Sequence, residues 1–493
     1  MSQPTSHGAS RRGVLRASAG AAALTLVGYS PWDTRAQQPA DAAAPPVMQA
    51  MGAKAGEVTH DSAIIWTRLT AAPQRADGFV FPAKRGKAQQ KVAHPPLDAC
   101  DGACPGMAGR IRVAYSVDAG FANAALTDWV EVGPDSDYSH QFKLTGLRAN
   151  TRYHYRVATE PLGGAGAHGT LIGTFETAPS PDAPSDLSFC MMTCQGYPDR
   201  GHPDGHPIYP SMLALRPKFV VYAGDNVYYD NDPPSADTIE LARYHWQRMF
   251  SLPRIRQMLL SAGCYFTKDD HDTLANDAFP GARVGSLTYG KGQEIYRQQV
   301  PIDGPCFRTF RWGKDLQVWL TDGRDFRSPN KMPDGPEKSI WGREQKAWFK
   351  KTVKESDATW KLLLSPTPVV GPDRQGKNDN HANTGFKTEG DELRRWMQAN
   401  VPENFFVLCG DRHWQYESVH PETGVREFSV GAASDEHAGG SPGFDPAYHK
   451  FHRVKGGFLQ VAVERKAGVS VLAFRHRDVD GAIVHESKFE RKV

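Results

Sequence analysis

Charge of either sign is almost cancelled in this chain of 493 residues, where 58 Lys and Arg stand against 55 Asp and Glu. Four of the cations (Arg11, Arg12, Arg16 and Arg35) and one anion (Asp33) fall within residues 1–36. Without that segment 54 of each sign remain. A general nucleic-acid-binding surface is therefore not expected. Cysteine is sparse: there are seven, an odd count that leaves at least one thiol unpaired. No internal repeat at solenoid periods is present. With hydrophobic content at 40% the chain can fill its cores, and it is neither disordered nor fibrous by composition. Its length is too great for one domain and implies two or three.

The first 36 residues read as a signal segment. Ser10-Arg11-Arg12-Gly13-Val14-Leu15-Arg16 is a twin-arginine pattern. The small apolar stretch from Ala17 to Gly28 is too short for a membrane span, and Thr34-Arg35-Ala36 offers a cleavage site. This implies the twin-arginine export machinery as a partner and a periplasmic or extracellular location, with no transmembrane segment in the mature chain. That route carries folded proteins, so a metal loaded before export fits it. Cys100 and Cys104, close together in a polar loop, would then be able to form a local disulfide; the other cysteines sit in or beside apolar runs and read as packing, Cys194 apart.

Residues 47–177 form an all-β text. Ser62–Leu69 and Arg110–Tyr115 read as strands, as do Ser139–Leu147, Thr151–Val157 and Gly173–Thr177. Their spacing implies a β-sandwich, and the run from Leu147 to Val157 resembles a fibronectin type III domain. A polar insertion over about 72–109 reads as a long surface loop. Residues 178–186 are a linker by composition. From 187 to 493 strands and helices alternate, an α/β pattern. Leu187–Thr193, Phe219–Ala223, Leu316–Leu320, Lys361–Leu364 and Phe405–Cys409 are the expected strands. Thr238–Leu252, Arg254–Ser261, Arg343–Glu355 and Asp391–Ala399 have helical periodicity.

Three apolar segments end in clusters of ligand-type side chains. Phe219–Ala223 runs into Gly224-Asp225-Asn226-Val227-Tyr228-Tyr229-Asp230. Cys264-Tyr265-Phe266-Thr267-Lys268 precedes Asp269-Asp270-His271-Asp272, with Asn276-Asp277 beyond. Phe405–Cys409 leads to Gly410-Asp411-Arg412-His413. Open α/β sheets bind their ligands at such strand ends. Three acids within four residues repel one another unless cations or solvent neutralise them. A lone Asp after Gly is commonly a turn or cap, and a lone Tyr is commonly core. Together, in order, the three clusters point to a bimetal hydrolase.

The ordered set Thr193-Cys194-Gln195, Gly224-Asp225-x-x-Tyr228, Asp269-Asp270-His271-Asp272 with Asn276-Asp277, and Gly410-Asp411-x-His413 resembles the PhoD-type alkaline phosphatases/phosphodiesterases. These belong to the calcineurin-like metallophosphoesterase superfamily. Asp322-Gly323-Arg324-Asp325-Phe326-Arg327-Ser328 and Trp341-Gly342-Arg343-Glu344-Gln345 fit the same likeness. The resemblance implies a four-layer αββα sandwich behind the β-domain. It implies Cys194, Asp225, Tyr228 and His413 as ligands of a ferric ion, with Asp225 bridging to a Ca²⁺ faced by Asp270 and Asp411. His271 and Asn276 would be catalytic, His271 lying beside the bound phosphate, with Asp272 a candidate to orient it. Thiolate and phenolate donors suit a trivalent transition metal, and carboxylates suit a hard divalent ion.

The departures from ordinary superfamily members follow one direction. An initial Asp-x-His is replaced by the run ending in Cys194, Gly-Asn-His by Asp269-Asp270-His271, and Gly-His-x-His by Gly410-Asp411-Arg412-His413. Each change removes nitrogen donors or adds oxygen or sulfur. The His ligand that follows another strand in such enzymes has no counterpart in Leu364-Ser365-Pro366-Thr367-Pro368. A Zn, Mn or Mg pair stays open, as does an exported metal- or phosphoester-binding protein with a degenerate catalytic domain. Monoester, diester, teichoic-acid-like polymer and phospholipid headgroup are all open as substrates. Pocket walls are expected from loops 279–300 and 371–390, the latter read as a solvated loop in preference to a flap over the site. Gly431–His437 reads equally as a pocket wall or a polar turn.

Overall fold

The computed structural model describes residues 44–493, apart from 83–91, 164–165, 169 and 375. The twin-arginine segment lies outside the described residues. Ala44–Val493 form one compact unit.

Period-two alternation of apolar side chains builds the layers. In Phe219–Ala223 every residue is buried. Phe219, Val221 and Ala223 enter a central core. Val220 and Tyr222 enter a second cluster beneath the helices Ile208–Ala214, Ile239–Phe250, Pro253–Ser261 and Tyr289–Gln299. The facing sheet repeats the pattern. Leu362, Leu364, Phe406 and Leu408 point to the central core, whereas Leu363, Phe405 and Val407 pack under the helices Gly342–Glu355 and Lys387–Asn400. The order is helices, sheet, sheet, helices, with apolar surface buried at each contact.

The first sheet has nine strands. From one edge it runs Ile483–Lys492, Val469–Arg477, Phe458–Lys466, Leu187–Met192, Phe219–Ala223, Gly263–Thr267, Ala53–Gly56, Ser62–Arg68 and Ser139–Thr145. Three strands of the N-terminal β-text thus extend the sheet of the α/β region, joined by the Gly263–Thr267 to Ala53–Gly56 ladder. Five other N-terminal strands, among them Gly109–Ser116, Arg152–Pro161 and Thr170–Glu176, form a separate sheet, and Ala44–Val47 pairs with Gly166–His168. Tyr155, Val157 and Phe175 of that sheet pack on the same central cluster as Ile65 and Phe142. The second large sheet has seven strands, with Leu316–Leu320, Trp360–Ser365, Phe405–Cys409 and Arg426–Val430 parallel at its centre.

Several expectations are corrected. Within 279–300, residues Tyr289–Gln299 are a helix capped by the Thr288 hydroxyl, which accepts from Lys291 N. Segment 371–390 is not merely solvated, because Asp379, Asn380 and His381 are fully buried. Cys100 and Cys104 are both free thiols. They diverge into different clusters, Cys100 with Phe81 and Tyr244, Cys104 with Met51 and Trp66. The insertion that carries them docks through Arg75, whose Nη1 donates to Arg248 O at 2.9 Å.

Glu389 fastens the 371–390 segment to the helix it precedes. Its carboxylate accepts from Ile340 N at 2.5 Å and pairs with His381 Nε2 at 2.9 Å, with the Ser339 hydroxyl also donating. Burial opposes the charge, but His381, Ser339 and Ile340 N outweigh it and hold this carboxyl at about 2, against an ordinary 4.5. A depressed folded pKa means the stabilisation is fully present above about pH 4.5 and lost as pH falls through 2. Glu389→Gln is expected to cost about 3 kcal/mol at pH 7. Chemical unfolding at stepwise lower pH should show the gap to wild type closing below pH 4.5.

Candidate metal centre

The C-terminal ends of the two parallel strand sets meet at one point. Leu187–Met192, Phe219–Ala223 and Gly263–Thr267 are parallel neighbours. Thr193, just past the first, bridges to Ala432, just past Arg426–Val430 of the facing sheet. Gly410 lies at the same seam. A Cβ there would meet Ala223 O at 2.4 Å and Thr193 Oγ1 at 2.8 Å, so only glycine lets the sheets approach. One sheet therefore delivers Cys194, Asp225 and Asp269–His271, and the other delivers Asp411 and His413.

Backbone strain accompanies this delivery. Cys194, Asp225 and Asp411 have φ of 53°, 53° and 62°. Non-glycine residues in the left-handed region cost roughly 1 kcal/mol or more each and persist where the surroundings impose them. All three turn the chain abruptly at a strand end and aim a donor atom inward.

Asp225 is the hub. Its Oδ2 accepts from Tyr228 OH at 3.0 Å and lies 3.4 Å from Cys194 Sγ. Tyr228 OH is 3.4 Å from His413 Nε2. Three sets of donor atoms, each mutually within 4.8 Å, share this residue: Cys194–Asp225–His413, Asp225–Asp270–His271 and Asp225–Asp269–Asp411. Asp225 Oδ1 and Asp269 Oδ2 are buried without a hydrogen-bond partner among the described residues.

The electrostatics single out Asp225. Burial pushes the Asp225 carboxyl up to about 7, opposed by His271 and reinforced by Asp270 and Asp411. Burial likewise raises the Cys194 thiol, and Asp225 and Asp411 add to it. Burial opposes ionisation of Asp270 as well, but Arg324, His271 and Lys377 outweigh it and hold that carboxyl far below its usual range. Arg324 Nε donates to Asp269 and its Nη2 lies 3.3 Å from Asp270 Oδ2. Arg324 is spent on Asp269 and Asp270, and Asp411 Oδ2 lies 2.7 Å from Arg412 Nη1, whereas no ion pair among the described residues reaches Asp225. Orphaned carboxylate oxygens, a thiol and a phenol around one hub are a donor set that fits a metal pair. A further group, Cys306, Asp322 and Asp325, differs: Lys268 already pairs with both carboxylates, 2.7 Å from Asp325.

The sequence-derived residues divide by position. Cys194, Asp225, Tyr228, Asp270, His271, Asp411 and His413 come together. Asn276 stands at the edge: it is exposed, its side chain donates to Asp277 Oδ2 at 2.9 Å, and only its backbone N–H reaches Asp230. Asp272 does not orient His271. Its oxygens are claimed by the N–H groups of Asn226 (2.7 Å), Val227 (3.1 Å) and Asp269 (2.9 Å), so it organises the two loops instead. Asp230, the last residue of the opening motif, takes that role, with Oδ1 2.5 Å from His271 Nδ1. Burial opposes the His271 charge, but Asp230, Asp270 and Asp225 hold the imidazole pKa well above its ordinary value.

Two neighbours were legible only as loose text. His437 Nε2 is 3.0 Å from Tyr228 OH and its Nδ1 is 2.8 Å from Asp199 Oδ2. The Gly431–His437 segment is therefore a wall of the site and not an unrelated turn. The signal was its position after a parallel strand beside Phe405–Cys409. Lys377, 2.7 Å from Asp379 Oδ2, brings positive charge from the 371–390 segment toward Asp411 and Asp270.

Known proteins resemble this chain in sequence and in fold. Residues 189–481 match the PhoD-like phosphatase family and residues 34–179 match the N-terminal domain of PhoD-like phosphatases. An alkaline phosphatase D of Bacillus subtilis (strain 168) is 21% identical over 420 residues, 75% of this chain. The chain spans 65% of that relative's length. A solved structure of PhoD superposes with a TM-score of 0.69 at 17% identity, covering 92% of each chain. A purple acid phosphatase from yellow lupin (Lupinus luteus) seeds superposes with a TM-score of 0.61 at 12% identity, over 89% of this chain and 74% of that one. The two structures have the same fold as this chain.

Proposed function

We propose that this chain, which belongs to the PhoD-like phosphatase family, is an exported phosphoric ester hydrolase that works on phosphomonoesters or phosphodiesters with a binuclear centre at Asp225. The observation that carries the reading is the set of three donor groups sharing Asp225, each within 4.8 Å, with orphaned buried carboxylate oxygens. Cys194, Asp225, Tyr228 and His413 would hold a ferric ion, and Asp225, Asp270 and Asp411 a calcium ion. A bound pair of this kind supplies Lewis acidity toward phosphoryl oxygens and toward water.

The chain's own residues supply the remaining parts. Arg324 fixes Asp269 and Asp270. Gln345 in turn accepts from Asp322 N at 2.7 Å, fixing the loop that carries Arg324. His271, held at Nδ1 by Asp230, has its Nε2 4.0 Å from Asp270 Oδ1, at the edge of the ligand cluster. From there it can stabilise equatorial charge on phosphorus or give a proton to the leaving alkoxide. The twin-arginine text of residues 10–16 supports periplasmic or extracellular delivery, and no helix among the described residues is long and apolar enough to cross a membrane.

The purified, exported protein is expected to contain iron and calcium in near-equal amounts, to be coloured by phenolate-to-iron charge transfer, and to lose chromogenic phosphodiesterase activity when calcium is chelated. Zinc in place of iron, with activity that survives calcium chelation, would overturn the metal assignment. Tight phosphate binding without turnover would favour the binding protein.

A further inference from the structure

A cavity of about 340 Å³ lies between the N-terminal insertion and the loop after Cys194. Its lining includes Phe81, Tyr197, Arg200, Pro233, Tyr244 and Arg248. Two links tie it to the centre. Asp199, between the lining residues Pro198 and Arg200, pairs with His437, which contacts Tyr228. A Cβ on Gly201, also in the lining, would lie 3.8 Å from Oε1 of Glu436, the neighbour of His437.

The chemistry of the cavity selects for a ring. Phe81 and Tyr244 have centroids 5.9 Å apart. The Arg200 and Arg248 guanidiniums lie over the Tyr197 ring at 4.1 and 4.6 Å. These are flat, polarisable surfaces, which favour offset or edge contacts with another aromatic group. Each guanidinium is engaged in part, its buried Nε lacking a partner among the described residues. Arg248 donates to Pro233 O at 2.6 Å and faces His245 Nδ1 at 3.0 Å. Arg75, behind them, holds Asp101 at 3.2 Å. Arg200 Nη1 donates to Tyr197 O at 2.9 Å. The Asp101 carboxylate in the lining and the surrounding carbon weigh against a second anion there. The volume is of the size that takes a single ring.

We infer that this cavity is a substrate subsite for a planar aromatic group esterified to the scissile phosphate, and that the N-terminal insertion, through Phe81, sets this preference. The inference rests on the phosphoesterase reading above. It is tested with p-nitrophenyl phosphate, which carries a ring, and glycerol phosphate, which does not. Phe81→Ala in the full exported chain is expected to raise KM for p-nitrophenyl phosphate at least 5-fold with kcat little changed. KM for glycerol phosphate should stay within a factor of two. Because Phe81 packs against Cys100 and Tyr244, Arg200→Met, at a partly exposed position, provides a second variant that should shift the same KM in the same direction. Equal effects on both substrates, or none in either variant, overturn the subsite. Wild-type protein that hydrolyses neither ester fails the phosphoesterase reading itself.

Discussion

Replacing Asp225 with Asn is expected to abolish metal binding and phosphoester hydrolysis together, with kcat/KM falling by at least about 10³-fold, the equivalent of several kcal/mol of lost Lewis-acid stabilisation. Asp225 is the residue common to three donor sets, so its loss removes a ligand from both positions at once. An amide keeps the shape and can still accept from Tyr228, which donates to Oδ2 at 3.0 Å. What it lacks is the anionic bridge. The variant should not fail by unfolding. Burial raises the folded pKa of this carboxyl to about 7 from 3.8, so above pH 3.8 the charge destabilises the metal-free fold, fully so above 7. Metal-free Asp225→Asn is expected to melt at or above metal-free wild type. Elemental analysis, a chromogenic ester assay and calorimetry of both metal-free proteins check the three statements. A variant that retains both metals, or wild-type turnover, removes Asp225 from the centre.

The architecture was readable because buried parallel strands announce themselves as runs of β-branched and aromatic residues. Phe219–Ala223 and Phe405–Cys409 were delimited to the residue. Helices with a clear apolar face show in the sequence, whereas Tyr289–Gln299, with two glycines and a mostly polar sequence, does not. The ligand residues were readable for a different reason: charged side chains directly after buried strands have few places to go but a shared site. Their partners were not. Nothing local in Asp199 or His437 distinguishes them, since their role arises from a contact spanning 238 residues. Asp272 and Asp230 show the limit most plainly. Both are acids near His271, and only the loop geometry, which spends the Asp272 oxygens on three N–H groups, decides between them. The merging of N-terminal strands into the nine-stranded sheet was hidden likewise, because strand pairing across a linker leaves no trace in either segment's periodicity.

The assignment of Asp230 leads to the second large effect. His271→Ala is expected to lower kcat by about 10²–10⁴-fold, the usual contribution of a positioned general acid or charge-stabilising group. Iron and calcium content should stay near wild type, since the side chain sits at the edge of the donor set, its Nε2 4.0 Å from Asp270 Oδ1. Asp230→Asn should reproduce a part of that loss, about 10- to 100-fold, the cost of removing a partner that orients a working side chain. Its carboxylate also accepts from Asn276 N at 2.9 Å, so some of the effect of Asp230→Asn could come from the loop and not from the imidazole. A double-mutant cycle separates the two. If Asp230 acts through His271, adding Asp230→Asn to His271→Ala changes kcat no further, and the two losses fail to add. Full additivity would assign Asp230 to the loop and leave His271 without its orienting partner.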